Sequence, residues 1–286
     1  MMKRMIVSLL AGLVLSGACL AAEVIESLPH GVKMSADYRA APKGAPAVLI
    51  LHGFLVNGAF PVVQSLAEDL SAKGYAVLAP SLSLGVSGRR SGLACDAIHT
   101  HTHAGDLAEV RFWVDWLIKQ GVGSIVLVGH SFGSVQLLDY LTRSPPPQVV
   151  GLVGMSLSYV GAPGEPLDMG ELKQAQARRA EGDASLGRYH LIYCHGNYTS
   201  TVEGYLSYAA LQRSAVLGLA GDAKLPRVAI MGGADQRFGA DWVKELQRAG
   251  VRVQVIPGAG HFFDGTHEFD LLDMVYHSLL ELNARP

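Results

Sequence analysis

Lysine and arginine nowhere gather into a block in this 286-residue chain. Charged residues make up 17%, and the formal charge is only -2. Nucleic-acid surfaces need clustered cations to neutralise phosphates, so a nucleic-acid partner is not expected. Cysteine is scarce as well, with three residues. The 33 glycines keep no every-third-residue repeat, which excludes a collagen-like chain. Internal repeats and low-complexity tracts are lacking too. Apolar residues, by contrast, are plentiful at 49%. That fraction excludes a disordered chain, which cannot bury enough surface to offset its ordering entropy. The length suits one large domain with a full core, or at most two small ones.

The first 22 residues have the layout of a secretory signal peptide. Lys3 and Arg4 precede an apolar run from Met5 to Leu15, and small residues lead to Ala21-Ala22 before the first acid, Glu23. The run is short for a membrane span, so an uncut anchor fits less well, and no stable span is expected after cleavage. A lipoprotein reading would use Cys19, but Leu15 stands four positions before it rather than three. The expectation is therefore a periplasmic or secreted protein, with residues 1–22 removed and 23–286 forming the domain. Cys95 and Cys194 then remain. An oxidising compartment allows them to pair, but spacing alone leaves open a bridge or two buried thiols.

Beyond residue 30, short apolar runs alternate with amphipathic segments. Ala47 to Leu51, Ala76 to Ala79, Ile125 to Val128, Val149 to Val153, Val228 to Met231 and Val251 to Ile256 read as strands buried on both faces. Pro80 reads as the stop of the second run. Val62, Val63, Leu66, Ala67 and Leu70 recur at helical spacing, as do Leu107, Val110, Val114 and Leu117, in a helix expected to start near Asp106. Gly31 to Tyr38 is mixed, as in an edge strand or hairpin. This alternation implies a mostly parallel sheet covered by helices on both faces. From about 161 to 225 no strand run fits the rhythm. Gly170 to Arg179 is polar and helix-prone, and Tyr189 to Tyr208 is rich in Tyr and His. The interval reads as a structured insertion or lid.

Gly129-His130-Ser131-Phe132-Gly133 carries the strongest chemical signal. It stands between the run Ile125 to Val128 and a helical segment with Val135, Leu137, Leu138 and Leu141. A serine on a tight strand-to-helix turn is lifted above the sheet, at the positive end of a helix. Gly232-Gly233-Ala234-Asp235 and Gly258-Ala259-Gly260-His261 each follow a later apolar run.

From about residue 45 to 280 the sequence resembles the α/β-hydrolase superfamily, whose order is serine, acid, histidine. The resemblance implies an α/β-hydrolase fold with a lid insertion. It implies a Ser131 nucleophile, a His261 base and an Asp235 acid, with Asp222 and Asp264 as rival acids that follow no buried run. His52-Gly53-Phe54, after Ala47 to Leu51, matches the family's His-Gly turn. Carried over, the backbone N–H groups of Phe54 and Phe132 form the oxyanion hole. Many members carry an Asp- and Gly-rich turn after the fourth strand. Here that stretch reads Pro80 to Ser87 and continues as a long loop to Asp106, expected to shape the mouth of the site.

The implied activity is a serine hydrolase cleaving a small-molecule carboxylic ester or thioester, with no metal or organic cofactor required. An amidase or peptidase with the same triad, and a non-catalytic protein of the same fold, remain open alternatives. Phe262 and Phe263 either line an acyl pocket or pack on a helix. His99, His101 and His103 either project to one side of an extended segment and hold a metal, or form a polar loop. Arg89-Arg90 reads as a solvated charged turn or an anion contact. Tyr193, Tyr198, Tyr205 and Tyr208 read as a lid face or as lid packing. Oligomeric state leaves no mark in the sequence.

Overall fold

The computed structural model describes residues 21–29, 31–238 and 241–284. The expected leader therefore lies outside the described residues up to residue 20, and Ala22 opens the first strand. The chain begins with β1 (Ala22–Ser27), β2 (Lys33–Arg39), β3 (Ala47–Leu51), α1 (Pro61–Ala72) and β4 (Ala76–Ser81). Then follow α2 (His103–Lys119), β5 (Ile125–His130), α3 (Phe132–Thr142) and β6 (Val149–Met155). Next come α4 (Met169–Ala180), β7 (Leu186–Leu191), β8 (Cys194–Thr201), α5 (Val202–Ala209) and α6 (Arg213–Asp222). The chain ends with β9 (Arg227–Gly232), α7 (Asp241–Arg248), β10 (Arg252–Ile256) and α8 (His267–Asn283).

Eight strands make one sheet in the order β1-β2-β4-β3-β5-β6-β9-β10. β2 runs antiparallel to β1 and β4, and the remaining pairs are parallel. Side chains alternate between faces along a strand, so each continuous apolar run feeds two cores. Leu49, Leu51 and Leu127 point to one face, where Val110, Trp113 and Val114 of α2 and Val135 and Leu138 of α3 cover them. Val48, Ile50, Val126 and Val128 point to the other, under Val63 and Leu66 of α1 and Leu271, Val275 and Leu279 of α8. Full burial of each such side chain contributes about 1.5–3 kcal/mol. No helix among the described residues is long and apolar enough to cross a membrane.

Three expectations change. β4 continues through Pro80 to Ser81. Pro80 lies beyond the last β3–β4 pair, Leu49 with Leu78, so its missing N–H leaves no gap in that ladder. α2 starts three residues early, at His103, because the Thr102 hydroxyl accepts the Gly105 N–H (3.2 Å) and caps it. The segment between β6 and β9 does contain strands, the antiparallel hairpin β7–β8, in a sheet of its own. Within each strand the buried positions, Tyr189 and Leu191 in β7 and Cys194, Tyr198 and Ser200 in β8, are separated by polar residues or glycine, so no apolar run announced a strand.

Candidate active site

Four chain segments at the C-terminal ends of parallel strands build the site. Ser131 follows β5 and caps α3, with φ 54° and ψ -124°. This region belongs to glycine in tight turns, and a side chain held there costs about 1–3 kcal/mol. The packing around it leaves no alternative. A Cβ on Gly133 would stand 2.3 Å from the His52 carbonyl oxygen, and one on Gly129 2.6 Å from Ser134 Cα. The Ser131 N–H donates to the Met155 carbonyl (2.8 Å), and Ser134 Oγ donates to the Gly129 carbonyl (2.7 Å), tying the turn to the sheet.

Asp235 lies three residues beyond β9, and His261 lies in the loop after β10. The two loops converge at Gly232, where a Cβ would meet the Gly260 carbonyl oxygen at 2.5 Å. His261 Nδ1 is 2.7 Å from Asp235 Oδ2, and its Nε2 is 2.8 Å from Ser131 Oγ. The carboxylate can only accept, so Nδ1 carries the proton and the Nε2 lone pair faces the serine hydroxyl. Burial pushes the Asp235 carboxyl up. The hydrogen bond and charge of His261, with the Arg237 N–H (3.1 Å), outweigh it and hold the group below its ordinary value.

A second ring supports the first. His130 Nε2 donates to the His261 carbonyl (3.0 Å), as does Ser156 Oγ (2.9 Å). Burial, then the neighbouring charge of His261, lowers the His130 pKa to about 3, so that ring is neutral. The same holds for His52, lowered to about 3 by burial and then by Arg89. Its Nδ1–H donates to the Gly53 carbonyl (2.8 Å), and its Nε2 accepts the Leu82 N–H (3.1 Å).

The turn after β3 passes beside the serine. A Cβ on Gly53 would sit 3.4 Å from Ser131 Cβ. Phe132 is the first residue of α3, so its N–H has no partner within the helix. Neither it nor the Phe54 N–H finds an acceptor among the described residues. Above Ser131 and His261 opens a cavity of about 260 Å³, walled chiefly by Phe54, Val56, Phe60, Ile192, Tyr193 and Phe262. Arg237 reaches its edge, 5.1 Å from the Phe262 ring and 3.6 Å from Glu165 Oε1.

A model of the Alpha/beta hydrolase family matches residues 48–270. The chain belongs to this family. Among solved structures, Est1E from Butyrivibrio proteoclasticus is 17% identical, with a TM-score of 0.67 over 92% of this chain and 99% of that one. The thioesterase domain from the curacin biosynthetic pathway is 18% identical, with a TM-score of 0.63 over 91% and 99%. An esterase of Pyrococcus furiosus is 18% identical, with a TM-score of 0.62 over 92% and 91%. At these identities the likeness is one of fold. No curated protein sequence matches the chain.

The remaining sequence candidates fall at different places in this α/β hydrolase. Phe262 lines the cavity, whereas Phe263 does not join it there. Its backbone turns left-handed (φ 53°) and its ring is buried in the core under α8. Asp235 and not Asp264 or Asp222 meets the histidine. Cys95 and Cys194 form a disulfide, with Cα atoms 5.6 Å apart. Arg89 is buried rather than solvated, because its guanidinium donates to the Leu82 and Ser91 carbonyls (both 2.7 Å). Arg90 pairs with Glu23.

The three loop histidines take three separate partners and do not converge. His99 Nε2 meets the Ala94 carbonyl (3.1 Å), His101 Nδ1 the Tyr208 hydroxyl (2.6 Å) and His103 Nε2 Asp139 (2.7 Å). Asp168, Glu171 and His190 instead bring ligand atoms within 4.8 Å of one another, with Glu171 already holding His190. Tyr198, Tyr205 and Tyr208 are buried, and Tyr193 reaches the cavity. Sequence reasoning missed Arg237, Ile192 and the support given by His130 and Ser156. The one available signal was the place of His130, directly before the serine.

Proposed function

We propose that this α/β hydrolase is an exported serine hydrolase that cleaves carboxylic esters or thioesters of small, apolar acids. The observation that carries the proposal is the unbroken relay Ser131–His261–Asp235, at 2.8 and 2.7 Å, with Ser131 and His261 facing an apolar cavity. Ser131 Oγ attacks the carbonyl carbon while His261 Nε2 takes its proton. Asp235 keeps the imidazole oriented and stabilises its cationic form. The oxyanion accepts hydrogen bonds from the N–H groups of Phe54 and Phe132, each worth about 3 kcal/mol of barrier. Collapse breaks the bond to the alcohol or thiol, which leaves with the proton held by His261. Water then attacks the acyl-enzyme as His261 removes its proton, and a second collapse frees the acid and Ser131.

The cavity volume and its aromatic and aliphatic walls support a compact apolar acyl group. Export is supported by the layout of residues 1–22 and by the Cys95–Cys194 bridge, a bond that persists in oxidising compartments. A series of p-nitrophenyl esters of increasing chain length, with matched anilides, tests the activity. Turnover of the short esters that vanishes in Ser131→Ala is the expected result. Turnover confined to anilides would replace the esterase reading with an amidase. Inertness toward both would leave a binding protein of this fold. Sequencing the N-terminus of protein recovered outside the cytoplasm tests export, the expected start being Glu23.

A further inference from the structure

Residues 54–57 carry one of the two proposed oxyanion donors, yet much of their support comes from far along the chain. Two segments grip them from outside. In the loop after β4, the Leu93 N–H donates to the Leu55 carbonyl (2.8 Å), and the Arg90 carbonyl accepts from Asn57 Nδ2 (2.5 Å). At the tip of the β7–β8 hairpin, the Tyr193 hydroxyl donates to the Phe54 carbonyl (2.8 Å). The Cys95–Cys194 disulfide joins these two segments beside both grips, two residues after Leu93 and one after Tyr193. The seam continues in the Thr199 N–H to the Cys95 carbonyl (3.1 Å) and the His99 N–H to the Thr199 carbonyl (2.8 Å). The Phe54 carbonyl belongs to the peptide next to the one that carries its N–H. That carbonyl also accepts the Val56 N–H within the turn (2.8 Å), and the Tyr193 hydroxyl adds the hold from outside it, on the side of Phe54 away from Gly53.

We propose that Tyr193 is a positioning residue and that, with the Cys95–Cys194 bridge, it forms a redox-sensitive clamp that sets the Phe54 N–H for the developing oxyanion. The proposal rests on the serine-hydrolase reading. Burial, then the charge of Glu165, pushes the Tyr193 phenol up to about 12, so the hydroxyl keeps its proton to donate at neutral pH. Reduction by a dithiol reagent would release the clamp. Two electrons and two protons open the S–S bond to two thiols, and the reagent closes to its own disulfide.

Oxyanion donors act only at their correct place, so loosening one affects turnover more than substrate binding. Tyr193→Phe keeps the cavity wall and removes the hydroxyl. The expected result is a kcat lowered about tenfold with KM within about twofold, since the donor is loosened rather than deleted. The affinity of an arylboronic acid, which forms a tetrahedral adduct on the serine, should fall by a similar factor, and that of the product acid should not. Wild-type enzyme treated with dithiothreitol, below the thermal midpoint measured for the reduced protein, should lose kcat in the same way and regain it on reoxidation. In Tyr193→Phe the same treatment should cost less.

Wild-type kcat and boronate affinity in both the variant and the reduced enzyme would overturn the clamp. A loss confined to KM would also overturn it, making Tyr193 a substrate contact. A wild type that neither turns over esters nor reacts with a fluorophosphonate would overturn the serine-hydrolase reading, and the clamp with it.

Discussion

Replacing Ser131 by glycine, and separately by alanine, isolates the strain in the turn that presents the hydroxyl. Both substitutions remove Oγ and its 2.8 Å bond to His261, so the difference between them is a backbone effect. At an ordinary site glycine is the less stable of the two by about 0.5–1 kcal/mol, because its unfolded chain has more freedom to lose. At φ 54° and ψ -124° alanine keeps the strain of the wild type, about 1–3 kcal/mol, and glycine sheds it. Strain release exceeds the entropic loss, leaving Ser131→Gly more stable than Ser131→Ala by about 1 kcal/mol. For a chain of this size that corresponds to about 2–4 °C in Tm. Thermal unfolding of the two oxidised variants at one pH reads it directly. A glycine variant melting at or below the alanine variant would refute the strained turn. Both are expected to be inactive.

Asp235→Asn should lower kcat by about four orders of magnitude, since an amide opposite Nδ1 favours the wrong tautomer, while Asp264→Asn stays near wild type. The reverse pattern in steady-state kinetics would transfer the acid role to Asp264. Opening the Cys95–Cys194 bridge frees a loop with a sequence separation of 99, so reduction should cost about 2–5 kcal/mol and lower the midpoint. An unchanged midpoint, with both thiols titratable, would dismiss the bridge. Acid should destabilise the fold through His52 and His130, each neutral in the folded state with a pKa near 3 and ordinary when unfolded. The unfolded state then binds more protons, so their contribution is whole above about pH 6.5 and is lost as pH falls toward 3. By pH 4.5 the loss is about 3 kcal/mol for each ring. Urea midpoints that match at pH 7 and 4.5 would contradict the buried neutral rings.

Most of the sheet was legible because strands buried on both faces leave unbroken apolar runs, but β10 departs from that expectation: at the sheet edge it exposes Arg252 and Val255 and buries only Ile256 fully. Ser131, Asp235 and His261 each follow one of the apolar runs, and their roles came from the resemblance to the α/β-hydrolase superfamily, whose order is serine, acid, histidine. Where burial depends on partners distant in sequence, the pattern failed. Arg89 looks like a surface charge until the carbonyls of Leu82 and Ser91 surround it. Phe263 repeats Phe262 in sequence, but its left-handed backbone turns it into the core. The β7–β8 hairpin buries tyrosines and a cysteine among polar neighbours, a pattern without the contrast that marks a strand. The bridge between Cys95 and Cys194 depends on a 5.6 Å separation that no spacing encodes. Alternation of the three loop histidines suggested a shared face, and the start of α2 at His103 removes it.

Fluorophosphonate labelling of the purified protein, with the adduct located by mass spectrometry, tests the central claim without knowledge of the substrate. The expected result is a single adduct on Ser131, formed in wild type and lost in His261→Ala, because the hydroxyl reacts only when the imidazole takes its proton. Equal labelling of wild type and His261→Ala, or an adduct at another residue, would contradict the relay from Asp235 through His261 to Ser131.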